Sequence, residues 1–223
     1  MSDADVVAFV RLFSIAVIPV LFGITLHEVG HGWMARRFGD RTAELLGRLT
    51  LNPLKHIDPV GTVIVPLVMA WLGGFLFGWA KPVPVNARAM RNPRRAMIVV
   101  AAAGPGANLL MALGWGLTLH LAAVLAEVSS GSADFLARVA SFGVFFNVLL
   151  GVFNLLPIPP LDGGRVLRGV LPERIGRRLD AIEPYGFIIV IALLALGVLD
   201  HVLGPLFTVV QDAVLALVGV KGN

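Results

Sequence analysis

The sequence predicts an all-α polytopic membrane protein of five transmembrane helices plus one re-entrant or sixth hydrophobic segment. Three observations carry that prediction. The 223 residues are 57% hydrophobic and only 14% charged, where an ordinary soluble domain carries about 25% charged residues, and the mean hydropathy is +0.85. A domain of this length cannot bury so much apolar surface against itself, so the remainder faces lipid. The apolar residues also fall into runs of spanning length, and Lys and Arg crowd into the connections between them. The net charge of +4 therefore reads as a topology signal rather than as a nucleic-acid footprint. The basic stretches Arg88–Arg95 and Arg174–Arg178 contain no aromatic residue on which a base could stack.

The first apolar run, about Val6 to Leu26, follows an acidic start that lacks the basic region and cleavage site of a signal peptide, so it is expected to remain in the mature chain. From Thr42 to Leu51, Ala43, Leu45, Leu46, Leu49 and Leu51 stand among polar neighbours, which fits a short edge strand after the first helix or an ordinary loop. The second run, Val60 to Ala80, has Leu72-Gly73-Gly74-Phe75 near its middle as the turn of a re-entrant hairpin, with Trp71 and Trp79 as interface anchors. Runs at Ala96 to Ala126 and Val139 to Pro157 follow. These four reach about 18 to 20 residues or more, enough to cross about 30 Å of hydrocarbon as a helix. The last two, Phe187 to Leu199 and Leu203 to Val218, are shorter. The whole of 1–223 reads as one membrane-embedded domain, with a core at about 6–168 and C-terminal helices at about 186–220.

Within the first helix stands His27-Glu28-Val29-Gly30-His31. In this H-E-x-x-H pattern the two imidazoles lie at i and i+4 on one helical face, where they can grip one zinc ion, with Glu28 beside it as general base. Charged residues in such a segment cost about 2.5 to 3.5 kcal/mol each at mid-bilayer, so mere mutual pairing is a poor reason for them. Zero cysteine excludes thiolate ligands, disulfides and a Cys nucleophile, so a third ligand has to be His, Asp or Glu. Asp162 offers itself: it follows helix-breaking Pro157, Pro159 and Pro160 and precedes Gly163-Gly164, so its carboxylate can turn back toward the bundle. Its plain alternative is a turn Asp. Gly104-Pro105-Gly106-Ala107-Asn108 allows close helix approach, and the Asn108 amide needs a partner in lipid, either as part of a site or as an interhelical packing bond.

These three patterns, H-E-x-x-H, G-P-x-x-N and N-x-x-P-x-P-x-L-D-G, stand in this order on hydrophobic segments and resemble the site-2 protease family of intramembrane zinc metalloproteases. The likeness covers about Leu21 to Arg168. GRLTLNPLKHIDPVGT (Gly47 to Thr62) and WAKPVPVN (Trp79 to Asn86) resemble its compact prokaryotic branch, without PDZ or CBS domains. The resemblance implies one Zn2+ held by His27, His31 and Asp162, Glu28 as catalytic base, Asn108 as a substrate contact, and a structural role for Asn154 and the prolines. It further implies a transmembrane protein substrate and a prokaryotic cell membrane.

Both the His pair and Asp162 close their apolar runs whereas Asn108 opens its own, so the intervening 33–96 should begin and end on one face and Val60 to Ala80 should re-enter. All Lys and Arg except Arg11 and Arg138 then fall on one side, which is the cytoplasmic side and the side from which water reaches the zinc. A metal-ion transporter, or an inactive relative that binds membrane helices, are the alternative functions. His56, His120 and His201 stand outside any motif and read as surface or packing residues.

Overall fold

The computed structural model describes residues 3–65, 68, 80–126 and 130–220. Helix α1 (Asp3–Arg37) runs for 35 residues. It continues well past the apolar run, so the H-E-x-x-H pattern lies inside the helix. Arg36 and Arg37 in its last turn oppose the helix dipole. Gly39, at φ 108°, ends it in a left-handed turn, with the Asp40 N–H reaching back 3.0 Å to the Ala35 carbonyl.

The stretch expected as an edge strand is not one. Thr42–Leu45 forms a single helical turn, α2, and the Asp40 carboxylate just ahead of it accepts the Thr42 N–H at 2.9 Å. Gly47 at φ 64° then reverses the chain. A 3-10 turn at Pro53–Lys55 and a π-helical turn at Pro59–Ile64 follow, started by the Asn52 and Asp58 side chains respectively. The hairpin turn expected at Leu72–Phe75, and Trp71 and Trp79, lie outside the described residues. Residues 80–86 are irregular and lead through a 3-10 turn, Ala87–Ala89, to α3.

Helices α3 (Pro93–Leu125) and α4 (Ser130–Asn154) form the centre of the bundle, with α1 against both. Then come α5 (Asp162–Val170), α6 (Glu173–Ile182), α7 (Gly186–Ala195) and α8 (Val198–Leu217). The core is built of Ala112, Val144, Val148 and Val152 from α3 and α4, closed by Val190, Leu203 and Val214. Among the described residues four helices are long and apolar enough to cross a membrane: α1, α3, α4 and α8. The expected span at Phe187–Leu199 is divided by Gly197 at φ 67°. Its first part, α7, has 10 residues, about 15 Å of helix and half a bilayer core.

Arg94 and Arg168 lock the polar end of the bundle. The Arg94 guanidinium donates to the Gly169 carbonyl at 2.7 Å, tying the start of α3 to the end of α5. Arg168 bridges Asp180 at 2.7 Å and Glu173 at 3.0 Å, which holds α6 on α5 and lowers the Glu173 carboxyl below its ordinary value.

Candidate metal centre

One turn apart on α1, His27 and His31 bring their Nε2 atoms within 3.1 Å, with rings edge to face at 87°. Asp162 arrives from the far side of the sequence as the first residue of α5, and its Oδ2 lies 3.1 Å from His27 Nε2 and 3.2 Å from His31 Nε2. The three side chains are buried, at 8%, 8% and 5% exposure. Two glycines of the sequence patterns explain this proximity. A Cβ on Gly104 of α3 would strike the His31 ring, and one on Gly163 would strike the carbonyls of Leu155 and Leu156, so only glycine lets α3 and α5 close on the His pair.

The outer ring nitrogens decide what the inner ones present. His31 Nδ1 faces the Val100 carbonyl at 2.7 Å, an acceptor only, so Nδ1 carries a proton and Nε2 is the nitrogen left to serve as a ligand. Asn108 Nδ2 donates to the Gly23 carbonyl at 3.0 Å, which turns Asn108 Oδ1 onto His27 Nδ1 at 2.6 Å and fixes the same tautomer there. Asp162 Oδ2 is buried without a hydrogen-bond partner. Two imidazole Nε2 atoms and a carboxylate oxygen thus converge within 3.2 Å of one another, a cluster suited to holding a cation among them. Their separations approach the edge of about 3.3 to 3.4 Å in a tetrahedron with zinc bonds of about 2.0 to 2.1 Å, and two His with one carboxylate is a donor set of catalytic zinc sites. The residues fit the metal.

A cavity of about 140 Å³ opens on this trio. Glu28 lines it, half-buried, with Oε2 accepting the Val83 N–H at 2.6 Å. Asn108 does not line it. Its exposure is 0%, and its amide is occupied by His27, Gly23 and Asn147. The Asn108 amide oxygen thus lies on His27, an interhelical bond of the kind the sequence also offered. Asn154, expected to be structural, is on the cavity wall, its Nδ2 held by the Leu150 carbonyl at 2.9 Å.

Sequence reasoning missed Val83, Val100 and Asn147, two of which act through backbone atoms, and Arg165, whose guanidinium stands 4.0 Å from Asp162 Oδ1 at the cavity mouth. The pattern WAKPVPVN marked the Val83 segment without revealing its partner. Among the described residues His27, His31 and Asp162 form the one group of three His, Asp or Glu able to hold an ion.

The family model described as "Peptidase family M50" matches residues 15–133 and 118–197, ranges that hold every residue of the trio as well as Glu28 and Asn108. The chain belongs to peptidase family M50. Among similar proteins, "Putative zinc metalloprotease YwhC" of Bacillus subtilis is 39% identical over 202 residues, covering 90% of this chain and 89% of its own length. "Putative zinc metalloprotease Rip2" of Mycolicibacterium smegmatis is 35% identical over 195 residues, 87% of this chain and 71% of the relative. "Zinc metalloprotease MJ0392" of Methanocaldococcus jannaschii is 22% identical over 164 residues, 74% of this chain and 36% of the relative. No solved structure matches the chain. The M50 assignment agrees with the site-2 protease resemblance, and with it the chain is a membrane metalloprotease.

Proposed function

We propose that this M50 protein hydrolyses a peptide bond in or near a transmembrane helix of another membrane protein, with the active site opening toward the cytoplasm. The observation that carries the reading is the convergence of His27, His31 and Asp162 beside the Glu28 carboxylate, in a chain with four helices apolar enough to cross a membrane. His27, His31 and Asp162 would hold zinc, which when bound lowers the pKa of water to about 7 and polarises the scissile carbonyl. Glu28 is the base. One of its oxygens is held by the Val83 N–H, which leaves the other to take a proton from water as the new C–O bond forms, and to return it to the amine as the C–N bond breaks. Asn108 serves by orienting His27. The Lys and Arg residues gathered at the polar end of the helices support the cytoplasmic side. The described residues and the family match are read as a single domain.

The test compares membrane-protein fragments by mass spectrometry between cells carrying the native chain and cells carrying Glu28→Gln. Fragments that end within or beside transmembrane segments and vanish with Glu28→Gln are expected, since loss of a general base costs about 10²- to 10⁴-fold in rate. Identical fragment sets together with Glu28-independent metal uptake into vesicles would favour transport instead.

A further inference from the structure

Asn147 of α4 belongs to none of the sequence patterns and lines no part of the cavity, yet it is 0% exposed in an apolar helix. A buried amide is tolerated only when its bonds are made. Its Nδ2 donates to the Gly143 carbonyl, one turn earlier, at 3.0 Å. Because that carbonyl can only accept, Asn147 Oδ1 is turned outward, where it accepts from Asn108 Nδ2 at 3.0 Å. The other proton of Asn108 Nδ2 goes to Gly23 O, so Asn108 Oδ1 is left for His27 Nδ1. Gly23 makes the room: a Cβ there would lie 2.9 Å from Asn147 Oδ1.

We propose that Asn147 is a positioning residue for the metal centre, acting through Asn108 to hold His27 with its proton on Nδ1 and its Nε2 lone pair free for the ion. The inference rests on the metal-centre reading above. If the Asn108 amide flipped, its NH₂ would face His27 Nδ1, and the ring would move its proton to Nε2, where it blocks a ligand bond. Asn147 opposes that flip, since a flipped Asn108 carbonyl would meet the Asn147 oxygen. Sequence order hides the relay because it crosses three helices, α4 to α3 to α1.

The test uses the full chain in detergent and zinc as the probe, with affinity measured by chelator competition. Asn147→Leu is expected to weaken zinc about tenfold or more, and Asn108→Leu at least as much. The double variant should bind no more weakly than Asn108→Leu alone, because Asn147 acts only through Asn108. In metal-free protein, ¹⁵N NMR of the His27 ring should report the Nδ1–H tautomer in the native chain and a mixture in Asn147→Leu, a signature that loss of packing alone does not produce. Native-like zinc affinity in Asn147→Leu, or losses that multiply in the double variant, would overturn the proposal. Should Asn147→Leu fail to fold, Asn147→Ser carries the same expectations, its shorter hydroxyl reaching Gly143 and not Asn108. Zinc binding that survives both His27→Ala and Asp162→Ala would overturn the metal-centre reading, and the relay with it.

Discussion

Asp162→Ala takes away one of the three buried lone pairs and leaves only two imidazoles to hold an ion. It is expected to lose metal and turnover together, whereas Glu28→Gln keeps the metal and loses turnover. Metal content of the purified variants separates the two roles, and full occupancy in Asp162→Ala would remove Asp162 from the ligand set. Val83 acts through its backbone. Pro82 and Pro84 have no N–H, so the amide between them is the donor this stretch can offer Glu28. Val83→Pro deletes it, and a hydrogen bond to a charged group is worth about 1.5 to 3 kcal/mol. A fall of about tenfold or more in kcat with unchanged KM and metal content is expected, while Val83→Ala, which keeps the N–H, retains kcat. Equal rates for both variants would show that Glu28 needs no such anchor.

At the level of elements, the 80–86 segment is fastened to the end of α1 by Asp40, whose Oδ2 accepts the Asn86 N–H at 2.6 Å while Oδ1 accepts the Thr42 N–H. Burial pushes the Asp40 carboxyl up, but the bonds from Thr42 and Asn86 outweigh it and hold the group below its ordinary value. A depressed folded-state value stabilises the fold above the ordinary carboxylate range near pH 3.9, and that contribution disappears as the pH falls through the folded value. Asp40→Asn turns an NH₂ against a donor. It should cost about 1 to 3 kcal/mol, read as a lower unfolding midpoint whose acid dependence is reduced relative to the native chain. The same residue marks one limit of the sequence reading. The apolar residues of Thr42–Leu51 stand among polar neighbours in a way that fits a strand, yet the segment opens as a helical turn with the Thr42 N–H on the Asp40 carboxylate. The His27–His31 pairing was legible because helical spacing alone fixes it. Gly197 was legible as a residue, and its division of the run at Phe187–Leu199 was not, since only a positive φ converts a tolerated glycine into a helix end.

For the molecule as a whole, a metal held as proposed would join α1 and α5, elements more than a hundred residues apart in sequence, so its binding energy would stabilise the folded bundle. Zinc at about 100 times its dissociation constant adds about 2.7 kcal/mol. A thermal midpoint that rises with zinc and falls with chelator is expected in the native chain, and neither change in Asp162→Ala. The bundle centre was legible from the apolar runs at Ala96–Ala126 and Val139–Pro157. What joins it to the site was less so, because Val83, Val100 and Asn147 act through main-chain atoms or single amides that leave no periodic mark. The geometry of α1 also makes it a ruler. Its terminal Arg37 is six residues beyond His31 and ten beyond His27, about 9 to 15 Å along the axis. With Trp33 stacked 4.3 Å from the Arg37 guanidinium, a pairing suited to the headgroup boundary, a client of the proposed kind that entered extended from that side would span the interval in about three to five residues. A client that stayed helical would need six to ten, so under the proposed function the distance from its own boundary residues to the cut would report whether it arrived unwound.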